Sequence, residues 1–115
     1  MDHAFGVQER EKGDVMILDL SGSLTIGSGD QELKSLVSDL SSRGVNNILI
    51  NLQYVEFMDS TGIGAIVKSY ATLTNKGGRL KLLNPSKLIR HSLKVIGLLG
   101  IFEVFDDEAQ ALASF

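Results

Sequence analysis

Ile48-Leu49-Ile50-Asn51-Leu52, followed by Phe57-Met58-Asp59-Ser60-Thr61-Gly62-Ile63-Gly64 and then Ala65-Ile66-Val67, is the stretch whose reading decides the fold. An apolar run of strand length gives way to an Asp-Ser pair, a helix-start signal, and then to apolar residues at Ile63, Ile66, Val67 and Tyr70 spaced for one helical face. The pattern predicts a buried strand, a turn and a helix. The first backbone N–H groups of a helix have no intrahelical acceptor and sit at the positive end of the helix dipole. Ser60 therefore stands where a hydroxyl, or a phosphate built on it, can be accommodated.

The segments on either side repeat this alternation. Phe5, Val7 and Glu9 begin an alternating segment that turns at Lys12-Gly13-Asp14 into the apolar run Val15–Leu20, which predicts a β-hairpin ended by Ser21-Gly22-Ser23. A Gly- and Ser-rich loop, Leu24–Gly29, leads to a first helix. There Ser28 and Gln31 match a capping box, Leu33, Leu36, Val37 and Leu40 share a face, and Gly44 supplies the stop. The central strand is expected over Asn46–Leu52, apolar enough to be covered on both faces, and the second helix over Ser60–Asn75 before Gly77-Gly78. Arg79–Leu83 is a further strand. Asn84-Pro85-Ser86 caps a third helix with Leu88, Ile89, Leu93 and Ile96 inward and Lys87, Arg90, His91 and Lys94 outward. Gly97 stops that helix, Ile101–Phe105 is a last strand, and Asp106 opens a closing helix with Ala109, Leu112 and Ala113 on one side. The order is α/β, with about five strands and about four helices and with parallel crossovers after the initial hairpin.

Size and composition bound the function. At 115 residues one domain spanning 1–115 is expected. No window approaches the ~20 consecutive apolar residues of a membrane span, and Met1–Phe5 lacks the basic start and apolar run of a secretory signal, so membrane insertion is not expected and a soluble cytoplasmic protein is. With no cysteine, thiolate metal sites and cysteine nucleophiles are excluded. A net charge of −3 without a basic footprint argues against nucleic-acid binding.

Enzyme motifs are missing as well. Gly62-Ile63-Gly64 and Gly27-Ser28-Gly29 do not extend to a dinucleotide fingerprint, there is no Walker motif, and Met58–Gly62 is not a nucleophile elbow, so no cofactor is expected. His3 and His91 are not at metal spacing, so no metal ligands are assigned, and no His or Lys adjoins Ser60 in sequence to activate it. The acidic Asp106-Asp107-Glu108 is explained by the helix dipole. An Asp-Ser pair before a helix acts first as a cap, contributing about 1 kcal/mol. Gly62 and Gly64 in the first turn ask for a further reason, either close packing on a neighbouring strand or clearance for a docking partner.

Phe57–Gly64, with Lys76-Gly77-Gly78, Asn84-Pro85-Ser86 and Gly97-Leu98, closely resembles the anti-sigma factor antagonists, the single-domain STAS proteins of bacteria. The resemblance runs through nearly the whole chain. It implies a STAS-like mixed β-sheet flanked by helices, and a protein that binds an anti-sigma factor, commonly a serine kinase that itself holds ATP. It further implies phosphorylation at Ser60 by that kinase, reversal by a phosphatase, and a partner surface of Asp59, Ser60, Thr61, Gly62, Ile63 and Thr25. The family usually has Gly-Glu-Leu/Ile-Asp after the second strand, whereas this chain has Gly22-Ser23-Leu24-Thr25, without either acid. That departure bears on which anti-sigma factor is bound. The alternative is a STAS structural subunit of a stress-sensing assembly or of a lipid-transporting ABC complex. A neighbouring gene for a histidine-kinase-like ATPase favours the antagonist; transporter genes favour the subunit.

Overall fold

The computed structural model describes residues 4–115; His3 lies outside them. Nine elements follow in order: β1 (Gly6–Lys12), β2 (Val15–Leu24), α1 (Asp30–Ser42), β3 (Asn47–Met58), α2 (Ser60–Thr74), β4 (Arg79–Leu83), α3 (Lys87–Val95), β5 (Val104–Phe105) and α4 (Glu108–Ala113). The strands form one sheet in the order β1-β2-β3-β4-β5, antiparallel at the β1/β2 hairpin and parallel thereafter. The expected α/β architecture is the one found. The hairpin loop is Gly13-Asp14, with Gly13 at φ 60°, a first loop position that glycine occupies without strain.

Period-2 alternation divides the core. Leu18, Leu20, Ile48, Ile50, Leu80 and Leu82 meet α1, α2 and α3 on one face, whereas Val15, Ile17, Leu49 and Leu83 meet Ala111 of α4 on the other. Each such fully buried side chain contributes about 1.5–3 kcal/mol. Arg10 fastens the second face, bonding Asp19 at 2.6 Å and Glu108 of α4 at 2.7 Å. The Arg10 bond, with a lesser contribution from Asn51, holds the Asp19 carboxyl below the ordinary carboxylate range against the opposing effect of burial.

Several local expectations are corrected. β3 does not stop at Leu52 but runs to Met58, because two extra residues bulge out of it, between Asn51 and Tyr54 and between Val55 and Phe57. Each bulge flips the inward phase, so the core positions run Ile48, Ile50, Leu52, Val55, Met58 and the alternation that marks a strand is lost. The Asn51 side chain stabilises the first bulge by accepting from the Gln53 N–H and donating to Asp19. Ser28 does not cap α1: Gly29 is the N-cap, and the Ser28 hydroxyl donates to the Ser23 carbonyl within a tight turn. The inward line of α2 is Gly62, Ala65, Ile66, Ser69 and Leu73, leaving Val67 exposed. In α3, Ile89 and Leu93 are buried as expected, but Leu88 and Ile96 point outward. β5 is reduced to two residues because 98–102 turn on Leu98, burying Phe102 edge-on to Tyr70. The closing helix is capped by Asp107 and buries Ala111, not Ala109 or Ala113.

Candidate functional site

Parallel pairing of β2 with β3 ends at Leu24 opposite Met58, so Thr25 and Asp59 leave the sheet side by side. Thr25 and Ser28 exchange backbone hydrogen bonds of 2.9 Å, closing a tight turn with Ile26 at its tip. Asp59 is the N-cap of α2. Its carboxylate accepts the Gly62 N–H at 2.9 Å and, across thirty-three residues of chain, the Ile26 N–H at 3.0 Å. One side chain therefore caps the helix and ties the turn to it.

These N–H donors, Ile26 first and then Gly62, hold the Asp59 carboxyl below the usual carboxylate value of 3.8. A lowered folded-state value means that the stabilisation is complete above about pH 5 and is lost as pH falls through it. Asp59→Ala is expected to melt at lower temperature than wild type near neutrality, with the gap narrowing on acidification. Thermal melts of both proteins across the acidic range measure it; a constant gap would contradict the hydrogen-bond assignment.

Ser60 is the first residue of α2, exposed, next to half-buried Thr61 and Ile63. Ile26, 75% exposed, and Phe57, 53% exposed, place two large apolar side chains on the segments flanking it. The sequence had marked the Leu24–Gly29 loop and the Phe57–Gly64 block; an isoleucine inside a Gly/Ser-rich loop is the signal that singles out Ile26. The two glycines divide. A Cβ on Gly62 would lie 1.9 Å from the Leu24 carbonyl oxygen, whereas one on Gly64 meets nothing within 4 Å. Gly62 is buried and supports the surface from beneath, while Gly64 leaves it open.

Other candidates do not converge on this site. Among the described residues no group of His, Asp and Glu could hold a metal, and His91 is exposed on α3. A hollow of about 780 Å³ lies on the α4 face over Arg10, Asp19 and Asn51, groups already bonded to one another. No helix among the described residues is long and apolar enough to cross a membrane.

A five-strand sheet that opens with an antiparallel pair, carries three crossover helices on one face and places an exposed serine just after the Asp59 cap of the second of them defines a class, the small single-sheet α/β domains. The chain belongs to the STAS domain family, whose profile matches residues 7–111. It is 30% identical over 104 residues to the anti-sigma F factor antagonist of Paenibacillus polymyxa, covering 90% of this chain and 88% of that protein. The anti-sigma factor antagonist SpoIIAA in its unphosphorylated form superimposes with a TM-score of 0.79 at 26% identity, over 96% of this chain and 95% of that one. The phosphorylated form of the Bacillus cell fate determinant SpoIIAA gives 0.74 at the same identity, over 96% and 98%.

Proposed function

We propose that this chain is an anti-sigma factor antagonist that docks an anti-sigma factor through Thr25, Ile26, Asp59, Ser60, Thr61 and Ile63, and is switched off by phosphorylation of Ser60. The observation that carries this reading is an exposed serine at the first position of α2, with exposed Ile26 on the turn that Asp59 ties to that helix and exposed Phe57 on the strand that leads into it. A relative solved in a phosphorylated form supports it. The chain acts as substrate and binding partner; the anti-sigma serine kinase supplies ATP and chemistry, a phosphatase resets the switch, and both work in the cytoplasm.

A phosphate adds about −1.5 to −2 charges. Residues 52–67 contain no Lys or Arg to pair with it, and Asp59 adds a second negative charge alongside. The dipole of α2 favours an anion at its first residue, and the Asp59 cap stays in place, so the fold persists. A partner packed on Ile26 and Ile63 instead meets an unpaired charge beside that apolar contact, which is costly to desolvate.

The test uses the anti-sigma kinase encoded in the same genome. Intact-mass analysis after incubation with kinase and ATP is expected to add one phosphate to wild type and none to Ser60→Ala, while Ser60→Ala still forms the complex. Addition to Ser60→Ala would move the switch elsewhere. Ile26→Asp is expected to weaken the complex by about tenfold, the loss of one apolar anchor, with an unchanged melting temperature. Equal affinity for wild type and Ile26→Asp in calorimetry would remove the turn from the interface.

A further inference from the structure

α3 carries three parallel stripes, each displaced by one residue from the next. Ile89 and Leu93 are buried in the core. Leu88, Ser92 and Val95, at i, i+4, i+7, form a second stripe, with Leu88 72% and Val95 68% exposed. The Ser92 hydroxyl donates to the Leu88 carbonyl of its own helix, so it adds little polarity to that stripe. Lys87, His91 and Lys94, again at i, i+4, i+7, form the third and are exposed. Arg90 is spoken for by Asp106 at 2.6 Å, whereas among the described residues neither Lys87 nor Lys94 has an ion-pair partner. Residues 87–95 contain no acidic side chain, on a chain whose net charge is −3.

Isolated exposed apolar residues are ordinary, but two of this size two turns apart, about 10 Å along one helix, with cations on one side only, make a patterned surface. We propose that the outer face of α3 is a second docking surface, for an acidic amphipathic helix of a partner protein. The charge pattern selects that occupant. A second copy of this chain packed α3 to α3 would set Lys87 and Lys94 against like charges. A bilayer favours an apolar sector flanked by cations on both sides, which snorkel to the headgroups. Here the apolar stripe has cations on one side and the buried Ile89 and Leu93 stripe on the other. A helix with an apolar row beside a Glu or Asp row covers Leu88 and Val95 and neutralises Lys87 and Lys94 together. The surface lies on a different helix from Ser60 and does not depend on the anti-sigma reading.

The probes are two alanine-based helical peptides of about 20 residues. Both carry leucines at i, i+3, i+4, i+7; one has glutamates along a flank and the other lysines. Amide chemical shifts of the isotope-labelled protein are followed during titration. The glutamate peptide is expected to shift resonances of α3 and to bind about tenfold more tightly than the lysine peptide. Lys87→Glu with Lys94→Glu is expected to reverse that preference, and Ser60→Asp to leave it unchanged. Leu88→Ser with Val95→Ser, two exposed positions, is expected to weaken both peptides while thermal melting stays that of wild type. The proposal is overturned if the two peptides bind equally, if shifts appear away from α3, if phosphatidylglycerol vesicles bind this face in preference to the peptide, or if sedimentation shows self-association through it.

Discussion

Gly62→Ala is expected to be among the most damaging single-methyl changes in the chain. The added Cβ would stand 1.9 Å from the Leu24 carbonyl oxygen and 3.0 Å from the Met58 Cγ. The nearer neighbour is backbone at the last rung of the β2/β3 ladder, not a side chain that can rotate away, so the start of α2 has to lift. Overpacking of this kind typically costs 1–3 kcal/mol. An interference with backbone falls toward the upper end, about 3 kcal/mol, or roughly 10 °C in melting temperature. Lifting α2 also separates Gly62 N–H from Asp59 and Asp59 from Ile26. Gly64→Ala is the control, since its methyl enters open space. It is expected to stabilise by about 0.5–1 kcal/mol through the better helix propensity of alanine. If differential scanning calorimetry gives the two variants similar melting temperatures, the tight seat of α2 on β2 is not what holds this end of the fold.

Ser60→Asp carries the other large effect, on binding and not on stability. A carboxylate in the first turn of a helix is favoured by the dipole, and position 60 is exposed, so melting within about 0.5 kcal/mol of wild type is expected. Affinity for the anti-sigma factor is expected to fall at least tenfold, because loss of a central contact of about 2 kcal/mol exceeds the 1.4 kcal/mol that a factor of ten requires. Ser60→Ala leaves no charge and is expected to bind as wild type does. Titration calorimetry on the three proteins decides the matter: equal affinity for Ser60→Asp and wild type would sink the electrostatic switch. The three-way comparison also separates a charge effect from loss of the hydroxyl, which would weaken Ser60→Ala as well.

Thr25 stands where the family usually has an acid, and the structure gives a physical meaning to that difference. Its backbone closes the turn that presents Ile26, and Asp59 supplies the carboxylate beside it.

By itself the sequence determined the α/β order, the hairpin, the strand-to-helix passage with a cap within the Asp59-Ser60 pair, the cap at Ser86 and the glycine stops at Gly44, Gly77 and Gly97. These are local matters, set by side chains within a few residues of one another. Tertiary structure decided the rest. The distal half of β3 exists because β2 pairs with it through two bulges, and bulges erase the alternation by which a strand is recognised in sequence. Ser28 is diverted from capping by its turn, Gly62 is required by a carbonyl thirty-eight positions away, and Asp59 reaches Ile26 only because parallel strands end together. The outward turn of Leu88 has the same origin. Helical spacing names the residues that share a face, but only the sheet on which the helix rests selects the face that is covered.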